Sequence, residues 1–135
     1  MSVPVPTERQ IELPAEPASV RKARQFVRQV LESWGLDSAV DNAVLLTSEL
    51  ATNSVLHART RFSVVVSRRD QEVLVNVLDN SLVPPQHRSE TAATATTGRG
   101  IDLMAKVATA WGASPMADLR GYAKGVWFAI PLTDR

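Results

Sequence analysis

The stretch "SELATNSVLHA", Ser48 to Ala58, reads as helix, yet it steps Glu49, Asn53 and His57 four residues apart among Leu45, Leu46, Leu50, Val55 and Leu56. At about 100° per residue, the three polar side chains fall near 0°, 40° and 80°, within one narrow stripe. Leu46 and Leu50 lie close to that stripe, and Leu45 and Leu56 border its other edge. A helix apolar around most of its circumference is expected to be largely buried. An ionised carboxylate removed from water without partners is costly. Glu49 therefore needs a partner side chain, water in a cleft, or a metal ion carried by a ligand. The plainer alternative is a helix with one wet edge. The spacing does not match the H-E-x-x-H zinc motif. His57 reads as a residue of the helix C-terminus, with no catalytic role.

Working outward, the helix is expected to run over residues 36–58, with Asp37 or Ser38 as N-cap. Before it, Val20, Ala23, Val27, Val30, Leu31 and Trp34 recur at helical spacing from Ser19 to Trp34, and Gly35 stops that helix. Its other face carries Arg21, Lys22, Arg24 and Arg28. Earlier still, "RQIELPA" (9–15) alternates and ends on Pro14, which suits an edge strand. Residues 1–8 are expected to be a loose N-terminal segment.

After the helix come two β-type runs, "RFSVVVS" (61–67) and "EVLVNVLDN" (72–80), joined by "RRDQ". The short connection argues an antiparallel hairpin. Pro84 and Pro85 end the second run, and residues 86–97, "QHRSETAATATT", are small and polar without periodicity. "GRGIDLMAKVATAWG" (98–112) is read as a third helix through Ile101, Met104, Val107, Ala108 and Trp111, stopped at Gly112. "GYAKGVWFAIPL" (121–132) supplies a last strand. The order β-α-α-β-β-loop-α-β gives an α+β fold: a two-layer sandwich whose mixed, mainly antiparallel sheet has helices on one face and water on the other. Residues 9–135 are expected to form a single domain.

The bulk properties narrow the class. The chain has 135 residues, 44% hydrophobic and 21% charged, an ordinary globular balance. With no cysteine, disulfides and thiolate metal sites are excluded and a reducing, cytoplasmic setting fits. No secretory signal and no apolar run of roughly 18 residues appears. A net charge of +1 and a single tyrosine argue against a nucleic-acid binder.

Two more segments carry chemistry. Asp79 stands at the end of a buried-looking strand, where a carboxylate can accept from an exocyclic amine, bind a cation or cap an Asx-turn. In "TTGRGIDLM", Gly98 and Gly100 flank Arg99 just ahead of a helix, whose unsatisfied N–H groups suit phosphate; a plain turn is the commoner reading of a lone G-x-G. The segment matches neither the Walker P-loop nor the G-x-G-x-x-G fingerprint.

Taken in order, these pieces resemble the ATP-binding domain shared by histidine kinases, gyrase B and MutL, the Bergerat or GHKL fold. The chain is more closely similar to the small bacterial anti-sigma factors with serine kinase activity, of the RsbW and SpoIIAB type. "SELATNSVLHA" is similar to the family's N box, "LDNSLVPP" to its first glycine box and "GRGIDLM" to its second. The resemblance implies that Asn53 holds Mg²⁺ against the triphosphate of ATP, and that Glu49 acts as general base or orients the attacking hydroxyl. It implies that Asp79 accepts from the adenine amino group, with Ser81 beside it where the family often has glycine. Gly98, Arg99 and Gly100 would line the phosphates, under a lid formed by residues 86–97. The implied partners are a sigma factor, which is sequestered, and a STAS-type anti-anti-sigma protein, phosphorylated on serine; a homodimer is also implied, with no direct nucleic-acid or membrane partner. A nucleotide-binding regulator without kinase activity is the alternative. Gly125 stands where the family's last strand often carries threonine, which would remove a hydroxyl from the adenine edge.

Overall fold

The computed structural model describes residues 7–81, 110–114 and 119–132. The third helix expected over residues 98–112 lies outside the described residues up to position 109, as do the loop 86–97 and both prolines at 84 and 85. The described chain forms strand β1 (Glu8–Leu13), helix α1 (Pro17–Ser33), a 3-10 turn (Asp37–Ala39) and helix α2 (Val40–Asn53). A π-helical turn (Ser54–Ala58) extends α2, and strands β2 (Phe62–Arg68), β3 (Glu72–Asp79), β4 (Ala110–Ala113) and β5 (Lys124–Pro131) follow.

The sheet has the order β1-β2-β3-β5-β4, and every pairing among the described strands is antiparallel. The alternation of the strands decides which face the helices take. Phe62, Val64 and Val66 of β2, Val73, Val75 and Val77 of β3, and Val126, Phe128 and Ile130 of β5 all point one way. They pack against Ala23, Val27, Val30 and Leu31 of α1 and Ala43, Leu46, Leu50 and Ala51 of α2. The fold is thus α+β, with helices and sheet in two layers. The expected edge strand is β1, which among the described strands pairs with β2 alone.

Glycine closes α1 where the sequence expects it to. Gly35 takes φ +74°, and its N–H donates to the Glu32 carbonyl (3.0 Å) while Leu36 N–H reaches back to Leu31 O (2.9 Å). That is the Schellman arrangement, in which two otherwise orphaned carbonyls are satisfied and Leu36 is turned back onto the core. The start of α2 differs from expectation. Asp37 and Ser38 form a 3-10 turn, the cap position falls to Ala39, and no side chain caps the helix. The tighter turn satisfies backbone groups that a side-chain cap would otherwise take.

A second correction concerns Trp111 and Gly112. Both belong to β4, paired with Phe128 and Trp127 of β5, rather than to the end of a helix. Small and apolar residues at 107–112 satisfy helical and strand periodicity alike, and an open sheet edge decides between them. Gly112 lets the Trp127 ring lie against the strand: a Cβ there would come 3.3 Å from the ring.

The far face of the sheet is not simply wet. Val65, Leu78 and Leu119 form a small cluster with Tyr122 packed on it. A polar relay then stitches the segment 119–123 to β1. Arg120 donates to Gln10 Oε1 (2.6 Å) and Glu8 Oε2 (2.7 Å), and Gln10 Nε2 donates to Ser63 Oγ (3.2 Å). Ser63 Oγ lies 2.9 Å from the Tyr122 hydroxyl, which donates to Glu12. Burial raises the Tyr122 phenol above its ordinary 10.0, the Glu12 bond raises it further, and Ser63 and Arg61 act the other way.

Two outcomes are expected. Below pH 10.0 the phenol is protonated folded or unfolded, so its contribution is complete; above it the unfolded chain ionises first and stability falls until the native phenol also titrates. Tyr122 is the sole tyrosine, so tyrosinate absorbance reports it directly: native protein should ionise later than urea-unfolded protein, and coincident titrations would contradict the burial. A Cβ on Gly125 would lie 2.7 Å from Leu78 Cδ2 and 2.8 Å from both Ser114 Cβ and Oγ. Gly125→Ala should therefore lose about 1–3 kcal/mol in chemical denaturation, and an unchanged midpoint would contradict that packing.

Candidate nucleotide site

The polar stripe of α2 lies at the border of the core. Leu46 and Leu50 on one side of it are buried, while Leu45 and Leu56 on the other are 42% and 50% exposed. Glu49 and Asn53 between them are half-buried and His57 is exposed. The expectation of a largely buried helix is corrected accordingly: one edge of α2 is open among the described residues, and a carboxylate is tolerated there. Asn53 is the exception to easy solvation. Its Oδ1 is buried and has no hydrogen-bond partner among the described residues. A buried amide oxygen left unpaired costs about 1–3 kcal/mol, so its position calls for a ligand, a water or an ion.

Immediately after Asn53 the helix changes pitch. Arg59 N–H donates to Ser54 O (3.2 Å) across five residues, and Arg59 itself takes the left-handed φ of 57°. A single π turn re-aims the side chains beyond the α-helix and is often found at functional sites. Here Ser54 is buried, and its hydroxyl donates to Asp79 Oδ2 at 2.6 Å. The end of α2 and the end of β3 are therefore joined directly.

Asp79 is 3% exposed. Its other oxygen, Oδ1, accepts the backbone N–H of Ser81 (3.0 Å) and lies 3.7 Å from Lys124 Nζ. The Asx-turn and the ligand-facing carboxylate were alternatives in the sequence; the Ser81 bond is that turn, and it leaves acceptor capacity on a group with two oxygens. Ser81 is itself buried and is not among the described residues with a left-handed backbone, so a glycine is not required there. Gly98, Arg99 and Gly100 lie outside the described residues.

Gly125 is the position where the resemblance implies a missing hydroxyl at the adenine edge. It pairs with Leu78 and faces away from the helices, where Ser114 already fills the space. The residue opposite Asp79, on the same face, is Lys124. Sequence reasoning passed over both Ser54 and Lys124. A helical stripe does not include Ser54, about 100° from Asn53, and only the β3–β5 register brings Lys124 to Asp79.

The arrangement suits a magnesium nucleotide. The amide oxygen of Asn53 is a hard donor of the kind Mg²⁺ takes, and the ion usually keeps waters and substrate phosphates as its other ligands. Among the described residues no group of three or more His, Cys, Asp or Glu could hold a metal. Among the same residues, no helix is long and apolar enough to cross a membrane.

The end of α2 and the buried carboxylate that ends β3 are thus held together in an α+β fold. The family model of the histidine kinase-like ATPase domain matches residues 13–114, most of the chain. The chain belongs to that family, which is one of ATP-binding domains of GHKL type. No curated protein was found to match it.

If the Ser54–Asp79 bond holds the two elements together, Ser54→Ala leaves a buried carboxylate one donor short. The variant should lose about 1–3 kcal/mol in urea denaturation. Stability equal to wild type would show the bond to be dispensable.

Proposed function

We propose that the protein is an ATP-dependent anti-sigma factor with serine/threonine kinase activity. It would hold a sigma factor away from RNA polymerase and phosphorylate a serine of a STAS-type anti-anti-sigma protein. The observation that carries the nucleotide part is the buried Oδ1 of Asn53, unpaired among the described residues, one helical turn from Glu49 and next in sequence to the residue that grips Asp79. The resemblance of the N box and the two glycine boxes to the anti-sigma kinases carries the partner part.

In this reading Asn53 orients Mg²⁺ and Asp79 accepts the adenine amino group. Magnesium-bound ATP supplies the phosphoryl group, and positioning with charge neutralisation does most of the remaining catalysis. Glu49, half-buried and in no ion pair among the described residues, would take the proton of the serine hydroxyl. Ser81 holds Asp79 through its backbone, and Gly98, Arg99 and Gly100 would bind the phosphates. Arg21, Lys22 and Arg28 are exposed on α1 and offer a basic face to an acidic protein partner.

The test separates binding from transfer. In calorimetry, Asn53→Ala should weaken Mg²⁺-dependent ATP binding about tenfold or more. Equal affinities would contradict the metal role. Glu49→Ala should keep nucleotide affinity while serine phosphate on a STAS partner, followed with radiolabelled ATP, falls at least a hundredfold. Loss of both together would make Glu49 structural.

A further inference from the structure

The side chains of β1 that face away from the helices are Glu8, Gln10 and Glu12, and each is gripped from the segment 119–123. Arg120 donates to Gln10 (2.6 Å) and to Glu8 (2.7 Å), and the Tyr122 hydroxyl donates to Glu12. Arg61 pairs with the same Glu12 carboxylate at 3.2 Å. Exposed ion pairs contribute little singly, but here they share partners in one network. The segment is anchored midway by Leu119, which is buried against Val65 of β2 and Leu78 of β3. Its other end is tied to the candidate site. Asn80, which stands between Asp79 and Ser81, accepts the Ala123 N–H on its Oδ1 (3.1 Å).

The turn inside this segment is strained. The Tyr122 N–H donates to Leu119 O (2.9 Å), and between them Arg120 and Gly121 take φ of 54° and 90°. Glycine adopts that region freely, whereas the Cβ of an arginine crowds its own backbone there. The bonds to Gln10 and Glu8 hold Arg120 in place. Once they break, a right-handed or extended backbone is lower in energy for this residue. The segment therefore has two discrete arrangements, clamped onto β1 and released from it.

Resting on the reading of Asp79 as a nucleotide contact, we propose that residues 119–123 form a strap that carries nucleotide occupancy to the edge strand β1. A base bound at Asp79 fixes the chain from Asp79 to Ser81, Asn80 then holds Ala123, and the clamped arrangement is favoured. Such coupling is reciprocal: the clamp must favour the nucleotide by the factor by which the nucleotide favours the clamp.

Hydrogen exchange of the β1 amides, followed by mass spectrometry with and without saturating Mg²⁺ and ATP, tests the strap in wild type and in Arg120→Gly. Glycine suits the left-handed turn and removes only the side chain that grips β1. In wild type, ATP should slow β1 exchange about fivefold or more, the lower end of allosteric couplings. In Arg120→Gly the slowing should vanish, and calorimetry should show ATP affinity reduced by the same factor, although Arg120 acts on the face of the sheet away from α2. Tyr122→Phe, which removes only the hydroxyl on Glu12, should keep part of the slowing and serves if the glycine variant does not fold. Slowing of equal size in wild type and variants is the general stabilisation that any ligand of the folded state gives, and it overturns the strap. So does unchanged β1 exchange in wild type that binds ATP, with the nucleotide site left standing. Failure of wild type to bind ATP in calorimetry removes the site itself, and this inference with it.

Discussion

A carboxylate that is 3% exposed must be held by donors, and the three that hold Asp79 come from three separate parts of the chain. Ser54 reaches it from the end of α2, Ser81 from the turn after β3, and Lys124 from the start of β5. Leaving such a charge buried and unpaired is strongly destabilising, so the three segments are obliged to converge. The position of everything around the site follows from that obligation. Asn53 precedes Ser54, Glu49 lies one turn earlier, and Asn80 fixes the chain that delivers Lys124.

Regular α-helix delivers Ser54 to Asp79: Asn53 and Ser54 keep helical backbone angles, and the Ser54 N–H still bonds to Leu50 O. The helix widens only beyond Ser54, where the Arg59 N–H closes on Ser54 O and Arg59 ends it in a left-handed conformation. Asn53 is left at the last regular turn with its Oδ1 unpaired among the described residues. The Ser54–Asp79 bond fixes the end of a packed helix against the end of a central strand.

The sequence showed most of the scaffold because its signals were strong and local. Alternation in "FSVVVS" and "EVLVNV", helical spacing from Val20 to Trp34, and Gly35 as a stop each reflect one physical rule, and each element stands where that rule puts it. What it missed depended on tertiary context. Trp111 and Gly112 are strand because the edge of β5 pairs with them. Gly125 faces away from the helices because of parity along β5, and Lys124 reaches Asp79 because of register; neither can be counted from composition or spacing. The polar stripe was legible as a site candidate from Glu49 and Asn53, whereas the bond that locks it in place belongs to Ser54, one step off the stripe.

The central claim is that one hollow, between the end of α2 and the ends of β3 and β5, receives a metal-bound nucleotide. Manganese-loaded ATP added to isotope-labelled protein tests it most directly, because paramagnetic broadening maps the ion by distance. Resonances of the Asn53 side-chain amide and of Glu49 should broaden first, those of Asp79, Ser81 and Lys124 should shift with the base, and Asn76 and Trp127 on the far face should stay sharp. Broadening centred on the far face of the sheet, or an Asn53 amide that the complex leaves untouched, would contradict the account.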